Sequence, residues 1–208
     1  MREFYEVRQL RIRARSWPSV IEQVRTRVAP AVKAEGGAVF GLFLPQIGLA
    51  ADHGVLIRTW PERDALERAA TAGLEGVDDL VESHPERWVA TVRPEQPTAP
   101  RPGGVFAHRR FEIAESDWPE FLELSQEAWV VFEKDFEAQV QGFFRSLEVE
   151  SPDARVLLLT RYGSLADWEI SRMAGARTAD QDATRVRFQR RSGLTRSMIV
   201  VTTSLAPA

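Results

Sequence analysis

Apolar and polar positions alternate through residues 4–13, with Leu10 and Ile12 on one face, which predicts a strand half-buried near its end. Helical spacing takes over next: Val20, Ile21, Val24, Val28 and Val32 form one stripe, behind Ser16 as cap and with Trp17 and Pro18 in the first turn. Pro30 predicts a late kink or a shortened helix, and Gly36 with Gly37 a stop. Residues 38–44 and 55–60 read as strands, 61–72 as a second helix rich in alanine and charge, and 87–93 as a fourth strand. The order is strand, helix, strand, strand, helix, strand.

The pattern then returns at an offset of 101 residues, and thirteen of the 56 positions from 4 to 59 find an identical partner in 105–160. Arg8/Arg109, Ile12/Ile113, Trp17/Trp118, Pro18/Pro119, Gly41/Gly142, Phe43/Phe144, Val55/Val156 and Leu56/Leu157 are among them. A repeat of this length fixes architecture before any motif is read. Between the copies, residues 94–104 hold four prolines and two glycines, a semi-extended linker. The expected division is therefore 1–93, a linker 94–104, and 105–208.

The second copy carries clearer signals. Residues 105–114 predict a strand; Asp117 stands as cap before a helix whose stripe is Phe121, Leu122, Ser125, Trp129, Phe132 and Phe136. Strands follow over 138–147 and 156–162, Ser164 with Asp167 opens another helix, and 197–205 closes the chain. Residues 174–193 are longer than their counterpart and carry RVRFQRRSG, a run expected to be a solvated helix face.

Each βαββαβ unit makes a four-stranded antiparallel sheet with both helices on one side. The bare sides must be covered, so the expected fold is α+β: two ferredoxin-like repeats packed sheet to sheet as a barrel within one chain, with room for side chains and one small ligand. The chain resembles a tandem NIPSNAP-type protein of the dimeric α+β barrel superfamily. Tyr5-Glu6-Val7-Arg8, Gly41-Leu42-Phe43, Gly142-Phe143-Phe144, the stretch from Thr160 through Asp167, and the tail from Arg190 to Ser197 carry the likeness. Phe106-Ala107-His108-Arg109 departs from it, where the pattern has Tyr-Glu-Leu-Arg. The resemblance implies the barrel and fixes no reaction. It also implies that cofactor-free monooxygenases of the superfamily use an asparagine with a tryptophan and a histidine; this chain has no asparagine.

Composition changes this picture little. A net charge of -3 gives no basic field for nucleic acid or an anionic membrane. No run approaches the roughly 20 apolar residues of a membrane span, no signal-peptide core follows Met1, and there is no cysteine, so a cytoplasmic location is expected. No phosphate loop, nucleophile elbow, dinucleotide fingerprint or zinc spacing appears, and no cofactor or metal is expected.

The candidate ligand-binding residues are Tyr5, Arg8, His108, Arg109 and Gln141. Arg8 and Arg109 occupy equivalent mid-strand positions; turned inwards they can hold an anionic or carbonyl group, and otherwise they bond carboxylates such as Glu6 or Glu112. His108 suits a base or a haem ligand, but its repeat partner is Val7. Gln139, Gln141 and Arg145 alternate with apolar neighbours and are expected to face the barrel interior or the mouth beside it. Trp17 and Trp118 are read as anchors of helix to sheet. The expected function is binding of a small, partly apolar molecule in the barrel. An oxidoreductase, cofactor-free or haem-dependent, on the same barrel is the alternative, and a scaffold with a packed barrel the third reading.

Overall fold

A computed structural model of the chain describes residues 3–69, 71–96, 98–148, 152–173 and 179–207, without the side chains of 173, 179 and 180. The first half runs β1 (Phe4–Ile12), α1 (Trp17–Gln23), α2 (Ala29–Ala34), β2 (Ala38–Ile47), β3 (His53–Trp60), α3 (Arg63–Arg68) and β4 (Leu80–Arg93). The second runs β5 (Val105–Ala114), α4 (Trp118–Asp135), β6 (Ala138–Ser146), β7 (Asp153–Tyr162), α5 (Leu165–Met173), α6 (Ala179–Gly193) and β8 (Thr195–Leu205). The eight antiparallel strands close into one barrel in the order β1-β3-β2-β8-β5-β7-β6-β4. The halves are thus stacked and also laced: β2 pairs with β8, and β4 pairs with β6, so one chain completes the ring.

Local differences from the expected elements have physical causes. The first helix does not break at Pro30. A wide π turn over Val24–Val28 precedes α2, absorbing the amide that proline lacks, and Thr26 Oγ1 donates to the Glu22 carbonyl at 2.7 Å. Val20, Val24, Val28 and Val32 stay buried as one stripe. Strand β4 begins well before residue 87, although it contains Pro85. Only Trp88–Arg93 of β4 meet β6, so Pro85 lies where the strand has a neighbour on one side alone. Helix α3 is shorter than 61–72, and turns beyond it bring Leu74 and Val77 down onto the core. Neither Ser16 nor Asp117 makes a side-chain cap bond, whereas Ser164 does, accepting from the Asp167 amide at 3.2 Å.

The offset of 101 is constant only through the second strand. Glu6 lies opposite Arg58 while Ala107 lies opposite Thr160, so the later strands correspond at an offset of 102. Val55 accordingly joins the barrel core and Val156 the helix-side core, and Leu56 and Leu157 are exchanged in the same way. Both halves carry a bulge at the equivalent place, between Val39 and Gly41 and between Val140 and Gly142. The bulge explains why simple alternation fails on β6. Phe143 packs with the helices and Phe144 with the barrel, while Arg145 stacks over Trp118 and pairs with Glu115.

Three cores result. Helices α1 to α3 cover the first sheet, α4 to α6 cover the second, and the two open faces fill the barrel between them. In the barrel Tyr5 meets Phe40 and Phe144 with ring centroids 5.6 and 4.7 Å apart, beside Val7, Phe43, Trp88, Phe106 and Leu157. His108 lies among them, 2% exposed, with Nε2 2.9 Å from Thr203 Oγ1 and its ring edge-on to Phe43. Burial, and secondly the charge of Arg110, push its pKa down to about 3, so the ring is neutral at pH 7.

Two predictions follow from this packing. The unfolded chain takes up a proton at His108 near pH 6.5 and the folded chain only near 3, so the folded state loses stability as pH falls through that window. The contribution approaches about 1.4 kcal/mol per pH unit; chemical denaturation from pH 6.5 to 4 should show a shallower loss for His108→Gln, and an identical slope contradicts the assignment. A Cβ at Gly142 lies 2.1 Å from Phe144 Cζ, whereas one at Gly193 meets nothing within 4 Å. Gly142→Ala is expected to cost about 1–3 kcal/mol, read as a lower denaturation midpoint, with Gly193→Ala as the neutral control.

Candidate functional site

The structure separates the sequence candidates. Tyr5 and His108 face the barrel, but Arg8 and Arg109 stand on the other side of their sheets, under the helices. Arg8 lies across from Leu56, a helix-side residue, and Arg109 across from Leu158, so strand register turns both away from the barrel; of the two readings offered for them, the bond to a carboxylate is the one Arg8 makes, to Glu6. Gln141 occupies the bulge position of β6 and is half-buried; its repeat equivalent Phe40 points into the barrel. The five residues therefore do not make one site.

Beneath the helices of the first half, Arg8 behaves as a structural ion. Glu6 receives Arg8 Nε and Nη2 at 2.9 and 3.0 Å and Arg58 Nε and Nη2 at 3.0 and 2.6 Å. Arg8 also donates to Ser83, and Arg58 to the Ala72 carbonyl while lying over Trp60. All three ionic groups are at most 5% exposed. A carboxylate clamped between two guanidiniums is how a buried charge of this kind is tolerated.

The same place in the second half is built differently. Ala107 replaces Glu6 and Thr160 replaces Arg58, while Arg109 keeps the position of Arg8. A cavity of about 170 Å³ opens there, between β5, β6 and β7 on one side and α4, α5 and α6 on the other. Its cations are Arg109, Arg172 and Arg191; Trp129, Phe132, Phe188, Val140 and Leu158 give the apolar wall, and Thr160 and Ser171 the hydroxyls. No acidic residue is among those described as lining it.

Each arginine has a neutral partner. Arg109 Nη2 donates to the Tyr162 hydroxyl at 2.8 Å. Arg191 donates to Ser125 at 3.2 Å and lies against Phe111, Phe121 and Phe188, and Arg172 lies over Trp168. Burial first, and the charge of Arg109 second, push the Arg191 guanidinium down to about 9, still a cation at pH 7. Glu133 on α4 is taken by Arg93 and the Val140 amide. Trp129 is 3% exposed and its indole N–H has no partner.

Sequence reading missed Arg191, Arg172 and Trp129 as site residues. The basic run was expected to be a solvated face. In α6, Arg187 and Arg190 do point outwards, pairing with Glu127 and Glu120 of α4, but Arg191 turns beneath the helix. Residues 174–178 of that stretch lie outside the described residues. The signal available in the sequence was Ala107 in the place of Glu6 beside a retained arginine; the replacement of Arg58 by Thr160 shows only in the strand register.

A second hollow, about 220 Å³, sits at one barrel mouth and is lined by Gln9, Trp88, Glu86, Arg110 and Arg155 among others. Glu86 pairs with both arginines, which also flank Trp88, so its charges are compensated. His108 is remote from an axial-ligand geometry: Nε2 is engaged by Thr203 and the ring is enclosed by side chains, so it does not fit haem. Trp17 donates to the Ala51 carbonyl at 2.8 Å, and Trp118 stacks on Phe143, each tying a helix start to its surroundings. No cluster of three metal-ligating side chains occurs among the described residues, and no described helix is long and apolar enough to cross a membrane.

No family model and no curated relative matches the chain. Its fold is similar to that of a candidate monooxygenase from Lactobacillus acidophilus, with a TM-score of 0.65 and 12% identity over 99% of this chain and 94% of that one. A mutant chlorite dismutase from Candidatus Nitrospira defluvii aligns at a TM-score of 0.61 and 11% identity, covering 98% and 92% of the two chains. A NIPSNAP domain protein from Burkholderia xenovorans aligns with 50% of this chain and 94% of its own at 18% identity, and its TM-score of 0.38 carries no argument. At these identities the likeness establishes a shared dimeric α+β barrel fold.

Proposed function

We propose that the chain binds a small molecule bearing a negative charge in the cavity between the second sheet and its helices, under α4 and α6. One observation carries this reading: Arg109 and Arg191 border the same 170 Å³ cavity without an ion pair to any described carboxylate. Two half-buried guanidiniums that face one cavity and repel each other, with no carboxylate between them, are best joined by an anion, and guanidinium is the side chain suited to carboxylate or phosphate. The apolar wall supplied by Trp129, Phe132 and Phe188 adds affinity for a partly apolar body. This moves the ligand from the barrel, which side chains fill, to the helix side of one half.

The barrel itself serves as the frame that holds β5 and β7 in place. The structural neighbours include proteins described as a monooxygenase and a chlorite dismutase, but nothing in the cavity marks a nucleophile or a proton-transfer pair for such chemistry.

Thermal unfolding in sulfate, inorganic phosphate or benzoate, against chloride at equal ionic strength, tests the reading. A ligand at a hundred times its Kd stabilises by about 2.7 kcal/mol, so the melting temperature should rise with one or more of these anions. Arg191→Met and Arg109→Met should lose that rise with little change of stability in chloride, because each removes a half-buried charge that has no ionic partner and keeps an apolar stem of similar length. An equal rise in both variants would refute the site.

A further inference from the structure

The two halves differ at one clustered place, and the difference points to the chemistry of the missing group. Resting on the anion-binding reading above, we infer that the cavity takes a small monocarboxylate with an aromatic or branched apolar body, its carboxylate occupying the place that Glu6 holds in the first half.

Register supplies the correspondence. Glu6 sits opposite Arg58 on the helix side of β1 and β3; Ala107 sits opposite Thr160 on the helix side of β5 and β7. The first half builds its anion into the chain: Arg8 presents Nε and Nη2 to the two carboxylate oxygens, while Arg58 presents Nε and Nη2 to one of them. Such paired donors match a carboxylate in distance and plane. In the second half Arg109 keeps the Arg8 position, and the second guanidinium comes from α6 as Arg191. Ala107, packed with Ala138 and Tyr162 beside the cavity-lining Arg109 and Thr160, brings no carboxylate to them.

Size and surroundings narrow the ligand further. An apolar cavity of about 150 Å³ accepts a benzene ring, so 170 Å³ suits one ring or a short branched chain with its headgroup. Trp129, Phe132 and Phe188 line the part away from the sheet, where an aromatic body finds ring contacts. Trp129, whose buried indole N–H has no partner among the described residues, also lines the cavity. A fully charged phosphate lacks the apolar body this wall would cover.

Calorimetric titration of the full chain with benzoate, benzamide and inorganic phosphate distinguishes these possibilities. Benzoate should bind at least ten-fold more tightly than benzamide, which keeps the ring and loses the charge, and more tightly than phosphate, which keeps the charge and loses the ring. Ala107→Glu, which supplies the carboxylate from the chain, should abolish benzoate binding and raise the melting temperature of the unliganded protein. Phosphate binding as tightly as benzoate would overturn the carboxylate assignment and leave the anion site standing; benzamide equal to benzoate would overturn it too. Benzoate binding unchanged in a folded Ala107→Glu would overturn the correspondence with Glu6. If none of the three compounds binds, the anion site falls as well. Should Ala107→Glu fail to fold, the order of affinities for the three compounds on the unaltered protein still supports or overturns the carboxylate assignment.

Discussion

Closure of the hydrogen-bonded ring through β2–β8 and β4–β6 is the constraint from which the rest of this structure follows. A four-stranded sheet covered on one side has an apolar open face and two unpaired edges, and both are liabilities. Pairing each half's outer strands with the other's removes every edge and buries both faces in one step. The interior this creates is packed with aromatic and aliphatic side chains, and a polar group placed there, as His108 is, must be neutral and hydrogen-bonded. Ring closure therefore leaves the helix sides of the two sheets as the place for buried guanidiniums.

On those helix sides the controlling quantity is charge balance. Arg8 and Arg58 share Glu6 in the first half, whereas Arg109 and Arg191 share no described carboxylate in the second. Desolvation depresses both Arg58 and Arg191, but only Arg58 has a carboxylate, Glu6, to offset it. The extra length of the second half adds to the contrast, because α6 brings Arg191 and Phe188 over the cavity. One copy of the unit is closed by its own carboxylate. The other keeps a hollow, with Arg109 retained and Arg191 supplied from α6.

How much of this could be read in the sequence depends on which periodicity carries it. The element order and the closure of a barrel were legible, because apolar stripes and the Trp-Pro helix starts recur at a fixed spacing. The face of each strand was less so. The bulges at Gly41 and Gly142 invert alternation, and a one-residue slip before β7 exchanges Val156 and Leu157 between cores, which identity alone conceals. Arg8 and Arg109 were found as a pair with their side left open between barrel and carboxylate; Glu6, Arg8, Leu10 and Ile12 share a face that belongs to the helices, and there Arg8 bonds Glu6. Arg191 was hidden for a different reason. A charged run in a helix carries no sign of which one of its arginines turns inwards, and only the packing of α6 on α4 shows it.

The claim at the centre is that one half supplies its own buried anion and the other awaits one. Anomalous diffraction from crystals soaked in bromide measures this most directly, since the scatterer reports where the chain holds a free anion. The account predicts a peak between Arg109 and Arg191 and none between Arg8 and Arg58, where Glu6 already stands. A peak within the barrel or at the Arg8 cluster, with the space between Arg109 and Arg191 empty, would contradict it.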